Sequence, residues 1–365
     1  MTRQTRLGVR ATFRTAYVRK VTLTIVGAAV AALTLAASAG AGAQPAQIPP
    51  PVAPGEPPPG TDPAPPKHQR LWFAAPRQSV VGRRFDLVVR RGSANREGRY
   101  EAKLCSAPPA LGWTCRRLVL RDGVRRVEER FRAEYPGRWL WEVRNGKQRI
   151  RRATQFAPRG KLSVLVTGDS MAQIFDHYMA DGLGGRAAVR SEAHISTGLS
   201  KPAMLDWVAN ARSQARRVRP DVTVVFIGAN DGFPMGTPSG ATAYCCDDAW
   251  VKEYARRAAQ MMRSYYRGGH GRVYWLTLPA PRGGNFRTVF GPVNAALRKA
   301  AKEVRGAHIV PIDRIFTPGF VYRDALVWGG RHVGVRQGDG VHLNNAGASI
   351  AAQKVIRRLR ANRIL

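Results

Sequence analysis

The sequence predicts an α/β fold: a three-layer α/β/α domain with a parallel sheet, preceded by a small β-sandwich-like domain. Three observations carry that reading. From Lys161 onward, short continuous apolar runs alternate with helical stretches, the pattern of βαβ units. Between residues 69 and 157 the chain instead shows short strands bounded by turn residues at regular spacing. Before residue 69 neither pattern is present, and the composition is that of a targeting segment and a linker.

Residues 1–43 open with Arg3, Arg6, Arg10, Arg14, Arg19 and Lys20 and contain no acidic residue. An uncharged run follows from Val21 and ends in Ala41-Gly42-Ala43, the small residues of a cleavage site. This segment reads as a signal peptide. The alternative is a signal anchor that stays in place, because the run is nearly long enough to span a bilayer, although its Ala, Gly and Thr make it weakly apolar. Both readings export the rest of the chain to the periplasm or cell envelope. Residues 44–68, with Pro49-Pro50-Pro51, Pro57-Pro58-Pro59 and Pro65-Pro66, form a semi-rigid extended linker.

In residues 69–157 the strand candidates are Phe85–Val89, Tyr100–Leu104, Arg116–Leu120, Val127–Phe131 and Trp139–Val143. Gly82, Gly92, Asp122-Gly123, Pro136-Gly137 and Asn145-Gly146 punctuate them. An antiparallel sandwich of roughly Ig-like size is expected, serving either as a spacer or as a binding module for an anionic or glycan surface. Cys105 and Cys115 flank a Pro- and Gly-containing loop, and a disulfide closing it suits an oxidising compartment. Cys245 and Cys246 are adjacent, leaving open a vicinal disulfide, pairing with another chain, or free thiols. Neither pair has zinc-site spacing, so no metal and no cofactor is expected.

Residues 158–365 form the expected α/β domain. Leu162–Thr167 and Val222–Ile227 are continuous apolar runs suited to buried parallel strands, with Val273–Leu278 and His308–Pro311 as further strands. Helices are predicted over Ser170–Leu183, Met204–Arg217, Trp250–Tyr266, Val293–Val304 and Ala346–Arg360. Gly268-Gly269 is a C-cap candidate and Asn345 an N-cap candidate.

The charge is unusual. The chain carries 59 Lys and Arg against 24 Asp and Glu, a net charge of +35, and only six of the basic residues lie in the first 43. Most of the excess therefore belongs to the folded part. Such a surface attracts anionic envelope polymers or lipid head groups; an arginine-biased genome is the alternative source. Nucleic acid is not expected, since no recognised binding motif accompanies the charge.

Chemistry is concentrated in four segments. Gly168-Asp169-Ser170 ends the first strand of the α/β domain, where ligands bind in such sheets, and Ser170 is predicted to open a helix whose N-terminus favours negative charge. Ser196-Thr197-Gly198-Leu199-Ser200 is a loop with a glycine open to close approach. Gly228-Ala229-Asn230-Asp231 ends the second apolar strand. Asp339-Gly340-Val341-His342 supplies a base with a carboxylate three residues before it. Asp169 and Asp231 read as supporting residues that hydrogen-bond rather than react. His177, His194 and His332 are rival bases, but none follows an aspartate at that spacing. Phe233 and Trp328 are candidates for a pocket wall or for packing.

Taken in order, these four segments resemble the SGNH (GDSL-type) hydrolase superfamily over residues 161–365. The resemblance implies that Ser170 is the nucleophile and an oxyanion donor, that Gly198 and Asn230 complete the oxyanion hole, and that His342 and Asp339 are the base and its orienting acid. Met171 departs from the Leu or Ile common at that position. With export, this points to a serine esterase removing O-acyl groups, chiefly O-acetyl, from a cell-envelope glycan. The alternatives are an O-acyltransferase supplied by a membrane acyl-donor partner, and a non-catalytic polyanion-binding protein on a hydrolase scaffold.

Overall fold

The computed structural model describes residues 71–91, 100–120, 126–146, 148–284 and 286–365. The expectations for residues 1–43 and 44–68, and for Gly92 and Asp122-Gly123, lie outside these.

The first part is all β. Its strands are β1 (Leu71–Ala74), β2 (Gln78–Val80), β3 (Arg84–Arg91), β4 (Tyr100–Ala107), β5 (Thr114–Leu120), β6 (Arg126–Arg132), β7 (Gly137–Asn145) and β8 (Gln148–Ala157). They form a three-stranded sheet, β1-β3-β6, and a five-stranded sheet, β2-β8-β7-β4-β5. Alternation turns Leu87 and Val89 of β3 and Trp139, Trp141 and Val143 of β7 inward. Phe85 and Phe131 from one sheet meet Trp141 of the other with ring centroids 5.9 and 4.9 Å away, so the two sheets face each other across an aromatic core. Cys105 and Cys115 are directly paired across β4 and β5 and are disulfide-bonded. Strands β1, β2 and β8 were not expected; β1 and β2 are short, and β8 has arginines at 149, 151 and 152 that mask its alternation.

The second part begins with β9 (Leu162–Gly168) and continues through α1 (Phe175–Leu183), β10 (Ala187–Ala193), α2 (Trp207–Val218), β11 (Val222–Phe226), a small hairpin of β12 (Met235–Gly236) and β13 (Thr242–Ala243), and α3 (Asp248–Tyr266). Then follow β14 (Arg272–Leu276), α4 (Phe286–Glu303), β15 (Ala307–Val310), α5 (Asp313–Phe316), a second hairpin of β16 (Ala325–Trp328) and β17 (Arg331–Gly334), and α6 (Asn345–Ala361). Strands β10-β9-β11-β14-β15 make one wholly parallel sheet. Helix α1 packs with α6, while α2, α3 and α4 pack in a row, covering the sheet with two helical layers. Strands β11 and β14 are buried along their whole length, as continuous apolar runs require. Strand β10, Ala-Ala-Val-Arg-Ser-Glu-Ala, went unrecognised because an edge strand half open to solvent carries polar residues.

Three sequence expectations are corrected. The single helix expected over Ser170–Leu183 is a three-residue 3-10 turn, Ser170–Ala172, separated from α1 by Gln173 and Ile174; Ile174 has φ of 65°, which no α-helix accommodates. The dipole of α1 therefore starts at Phe175 rather than at the serine. Helix α4 begins seven residues before the expected Val293, with Pro292 inside it. The N-cap of α6 is Asn344, whose side chain accepts from the Gly347 amide, rather than Asn345.

The two parts join at the amino edge of the parallel sheet. Arg272, 1% exposed, donates to the carbonyls of Pro109, Gly269 and Gly271, and its guanidinium lies 3.9 Å from the Tyr135 ring centroid. Tyr135 donates to the Asp221 carbonyl at the foot of β11, and the Arg363 carbonyl accepts from the Arg138 amide. The carboxyl edge of the sheet is the opposite end. The β-rich part is thereby held away from Ser170 and Asn230, which follow the carboxyl ends of β9 and β11.

Candidate active site

In a parallel sheet ordered 2-1-3-4-5, the chain winds in opposite directions from the first strand, and a crevice opens between the carboxyl ends of strands 1 and 3. Here those are β9 and β11. Ser170 follows one and Asn230 the other. Gly168, with φ of 155°, sits so close to β11 that a Cβ there would lie 1.9 Å from the Phe226 carbonyl oxygen, so only glycine lets the two strand ends meet.

Across this crevice the C-terminal loop brings His342 to Ser170. Ser170 Oγ lies 2.8 Å from His342 Nε2, and His342 Nδ1 lies 2.5 Å from Asp339 Oδ2. The other Asp339 oxygen accepts the backbone N–H groups of Val341 and His342 at 2.8 and 3.0 Å. Burial would raise the Asp339 carboxyl, but the His342 ring and these two amides outweigh it and hold it below the ordinary carboxylate range. Arg336, 8% exposed, ties this loop down through the carbonyls of Val341 and Ala280, both at 2.8 Å. The Gln337 amide donates to the His342 carbonyl and closes the loop into a hairpin.

Two buried carboxylates sew the remaining segments together. Asp169 accepts from the amides of Met171, Gly228 and Ala229, each at 2.9 Å, and its Oδ2 lies 3.5 Å from the Asn230 amide nitrogen. Asn230 also donates to the Thr197 carbonyl at 3.2 Å. Asp231 accepts from the Ser200 amide and hydroxyl and from the Tyr254 phenol, all at 2.7 Å. Gly198 is packed on that carboxylate: a Cβ would fall 2.5 Å from Asp231 Oδ1. Both acids hydrogen-bond to neighbouring segments, and it is Asp169 rather than Asp231 that approaches Asn230. Tyr254 and Arg336 were not foreseen, because Tyr254 meets Asp231 from 23 residues away and Arg336 reaches back 56 residues to Ala280.

Burial pushes the Asp169 carboxyl up to about 6, against the pull of its three backbone donors. A carboxyl that holds its proton more tightly in the folded state stabilises fully below its unfolded value, near pH 4, and loses that contribution as pH rises through about 6. Asparagine does not titrate. The melting-temperature deficit of Asp169→Asn against the parent is therefore expected to be larger at about pH 4.5 than at about pH 7.5. Equal deficits in a thermal-denaturation series would contradict the raised value.

A family model described as "Protein of unknown function (DUF459)" matches residues 163–358, more than half of the chain and all four of these segments. The chain belongs to the DUF459 family. No curated protein matches it. Among solved structures it is similar to a superoxide reductase (neelaredoxin) from Ignicoccus hospitalis, 13% identical, covering 25% of this chain and 82% of that one with a TM-score of 0.21. It is also similar to the sulfur carrier protein SoxY from Chlorobium limicola f thiosulfatophilum, 13% identical, covering 24% of this chain and 78% of that one with a TM-score of 0.18. Neither likeness bears on fold or activity.

Two clefts open beside Ser170, His342 and Asp339 in this DUF459 protein. The smaller, about 250 Å³, is lined by Ser170, Met171, Gln173, Ile174, His342 and Leu343 among others. Ile174 reaches its lip from a left-handed backbone that a β-branched residue rarely adopts. The larger, about 760 Å³, runs along Lys201, Asn230, Phe233, Arg282, Phe286 and Asp339. Phe233 is thus a cleft residue, whereas Trp328 is outside both clefts and stacks with Arg357. Of the rival bases, His177 is exposed and paired with Asp181, His194 packs its ring on Trp207, and His332 is exposed on β17. Gly198 is buried and lines neither cleft. Cys245 and Cys246 are bonded to each other. Among the described residues no group of three or more His, Cys, Asp and Glu side chains is arranged to hold a metal ion, and no helix is long and apolar enough to cross a membrane.

Proposed function

We propose that this protein is an exported serine esterase of SGNH type, removing O-acyl groups, chiefly O-acetyl, from a cell-envelope glycan. The observation that carries the reading is the continuous relay from Ser170 Oγ through His342 to Asp339, with contacts of 2.8 and 2.5 Å. A serine hydroxyl becomes nucleophilic when a neutral imidazole accepts its proton, and the imidazole does so when its other nitrogen donates to a carboxylate.

In this mechanism the Ser170 oxygen attacks the ester carbonyl while its proton passes to His342 Nε2. The tetrahedral intermediate places its negative charge toward Asn230 and the amides of Ser170 and Gly198, the proposed oxyanion donors. Collapse breaks the bond to the sugar oxygen, which takes the proton from His342 and leaves as a free hydroxyl, and an acyl-serine remains. Water, deprotonated by His342, then releases the acid. Acyl transfer to a second sugar hydroxyl follows the same first half, and the volume of the larger cleft, about 760 Å³, supports it as a second reading.

The test is to incubate the full-length protein with p-nitrophenyl acetate, with an acetylated glycan panel, and with a fluorophosphonate that labels activated serines. Ester hydrolysis together with label on the peptide containing Ser170 is expected. Absence of both, or label on another serine alone, sinks the proposal. An acceptor glycan added in parallel separates the outcomes, since acyl transfer outpacing hydrolysis selects the second reading.

A further inference from the structure

We infer that the alcohol half of the substrate is an acidic saccharide, held in the larger cleft by Lys201, Arg282, Phe233 and Phe286. This rests on the esterase reading of the adjoining site. It adds a substrate class that the relay itself does not specify.

The two clefts differ in what they can hold. The smaller contains the nucleophile and, at about 250 Å³, lies below the size usual for small-molecule pockets, as suits a short acyl group. The larger, at about 760 Å³, lies well within the usual range of roughly 300–1,000 Å³ and adjoins Asn230 and Asp339. It is the side left for the alcohol.

Its walls have the chemistry of sugar recognition. Phe233 and Phe286, 49% and 43% exposed, line this same cleft. The electron-rich face of an aromatic ring suits the C–H face of a pyranose, whose hydrogens are polarised by the ring and hydroxyl oxygens. Between Arg282 and Phe286 the wall includes Gly283 and Gly284, where an added Cβ would meet nothing, leaving space for a flat ring to lie against the backbone.

The cleft is lined by two cations, Lys201 and Arg282, and by two acids, Asp231 and Asp339, and each acid is hydrogen-bonded to a neighbouring side chain. Lys201 donates to the Ser196 carbonyl at 2.7 Å and lies 5.2 Å from the Phe233 ring centroid; among the described residues it has no carboxylate partner. The carboxylate that Arg282 meets is Asp324, at 3.4 Å, and both side chains are more than half exposed, so water and salt screen that pair. The acids in the lining are engaged elsewhere: Asp231 with Ser200 and Tyr254, Asp339 with His342. An ammonium and a guanidinium lining the same cleft as Phe233 and Phe286 suit a sugar that bears a carboxylate.

The matched probes are O-acetylated oligogalacturonides and the same oligomers after carboxyl reduction, with p-nitrophenyl acetate as a measure of the esterase itself. For the full-length protein at low salt, kcat/KM is expected to be tenfold or more higher for the acidic oligomer, and the preference is expected to shrink at high ionic strength. The double variant Lys201→Gln, Arg282→Gln is expected to lose the preference. Lys161→Gln, at the far edge of the sheet, is expected to keep it. If p-nitrophenyl acetate is cleaved but the two oligomers are turned over alike, or the double variant keeps the preference, the acidic-saccharide inference is overturned and the esterase reading stands. If no ester is cleaved at all, the esterase reading fails and takes the inference with it.

Discussion

Ser170→Ala is expected to lower kcat/KM on short-chain esters by on the order of 10⁴-fold or more, with the melting temperature nearly unchanged. The size follows from the role proposed for the hydroxyl. Without it there is no covalent intermediate, and water must attack directly with only the oxyanion donors and substrate binding to help. Stability is spared because Ser170 is only partly buried and its side-chain hydrogen bond goes to His342. The 3-10 turn it begins is capped by Asp169, which accepts from the Met171 amide, and that bond survives the substitution. Circular dichroism and a thermal melt would establish the fold, and a fluorophosphonate would no longer label. Activity within tenfold of the parent would remove Ser170 from the mechanism.

Asp339→Asn is expected to cost about 10³- to 10⁴-fold in kcat/KM through the tautomer of His342. One oxygen of Asp339 is committed to the amides of Val341 and His342, and the other faces His342 Nδ1. An asparagine that keeps the two backbone bonds must point its NH₂ group at Nδ1. The imidazole then accepts there and carries its proton on Nε2, facing the Ser170 oxygen it should deprotonate. Raising the pH does not reverse this, since the amide does not titrate. In the parent, Asp339 stays ionised to below the ordinary carboxylate range, so its protonation does not limit activity at mildly acidic pH. A pH–rate profile of both proteins checks the argument; a loss of less than tenfold, or recovery at alkaline pH, would show that Asp339 does not set the tautomer.

Much of the sheet was legible because buried parallel strands need continuous apolar runs, and β9, β11 and β14 have them. Ser170 and Asn230 stood out because each directly follows such a run. The Asp339–His342 pair was legible because both residues lie in one short loop, where three-residue spacing brings carboxylate and ring together. The aromatic strands of the sandwich were visible for the same local reason, with Trp139 and Trp141 alternating along β7.

What sequence patterns missed was decided by contacts between distant segments. Strand β10 has neither an apolar run nor strict alternation, and only pairing with β9 makes it a strand. The 3-10 turn after Ser170 and the kink at Ile174 break a helical pattern that the residues themselves would have continued. Asp231 is pinned by Ser200 and Tyr254, 31 and 23 residues away, and Arg336 reaches back 56 residues to Ala280. Arg272 looked like one cation among many, yet it is buried where the sandwich meets the α/β part.

By itself, then, the sequence determined the periodicities and the reactive residue types, because hydrophobic patterning and short loops act over a few residues. The tertiary structure alone decided that Ser170 and His342, 172 residues apart, stand 2.8 Å from each other. It also decided that two clefts of different size flank them and that the β-rich part lies at the other end of the sheet. The reason is physical: a side chain's reach is a few ångströms, and only the crossing of strands and loops brings remote segments within it.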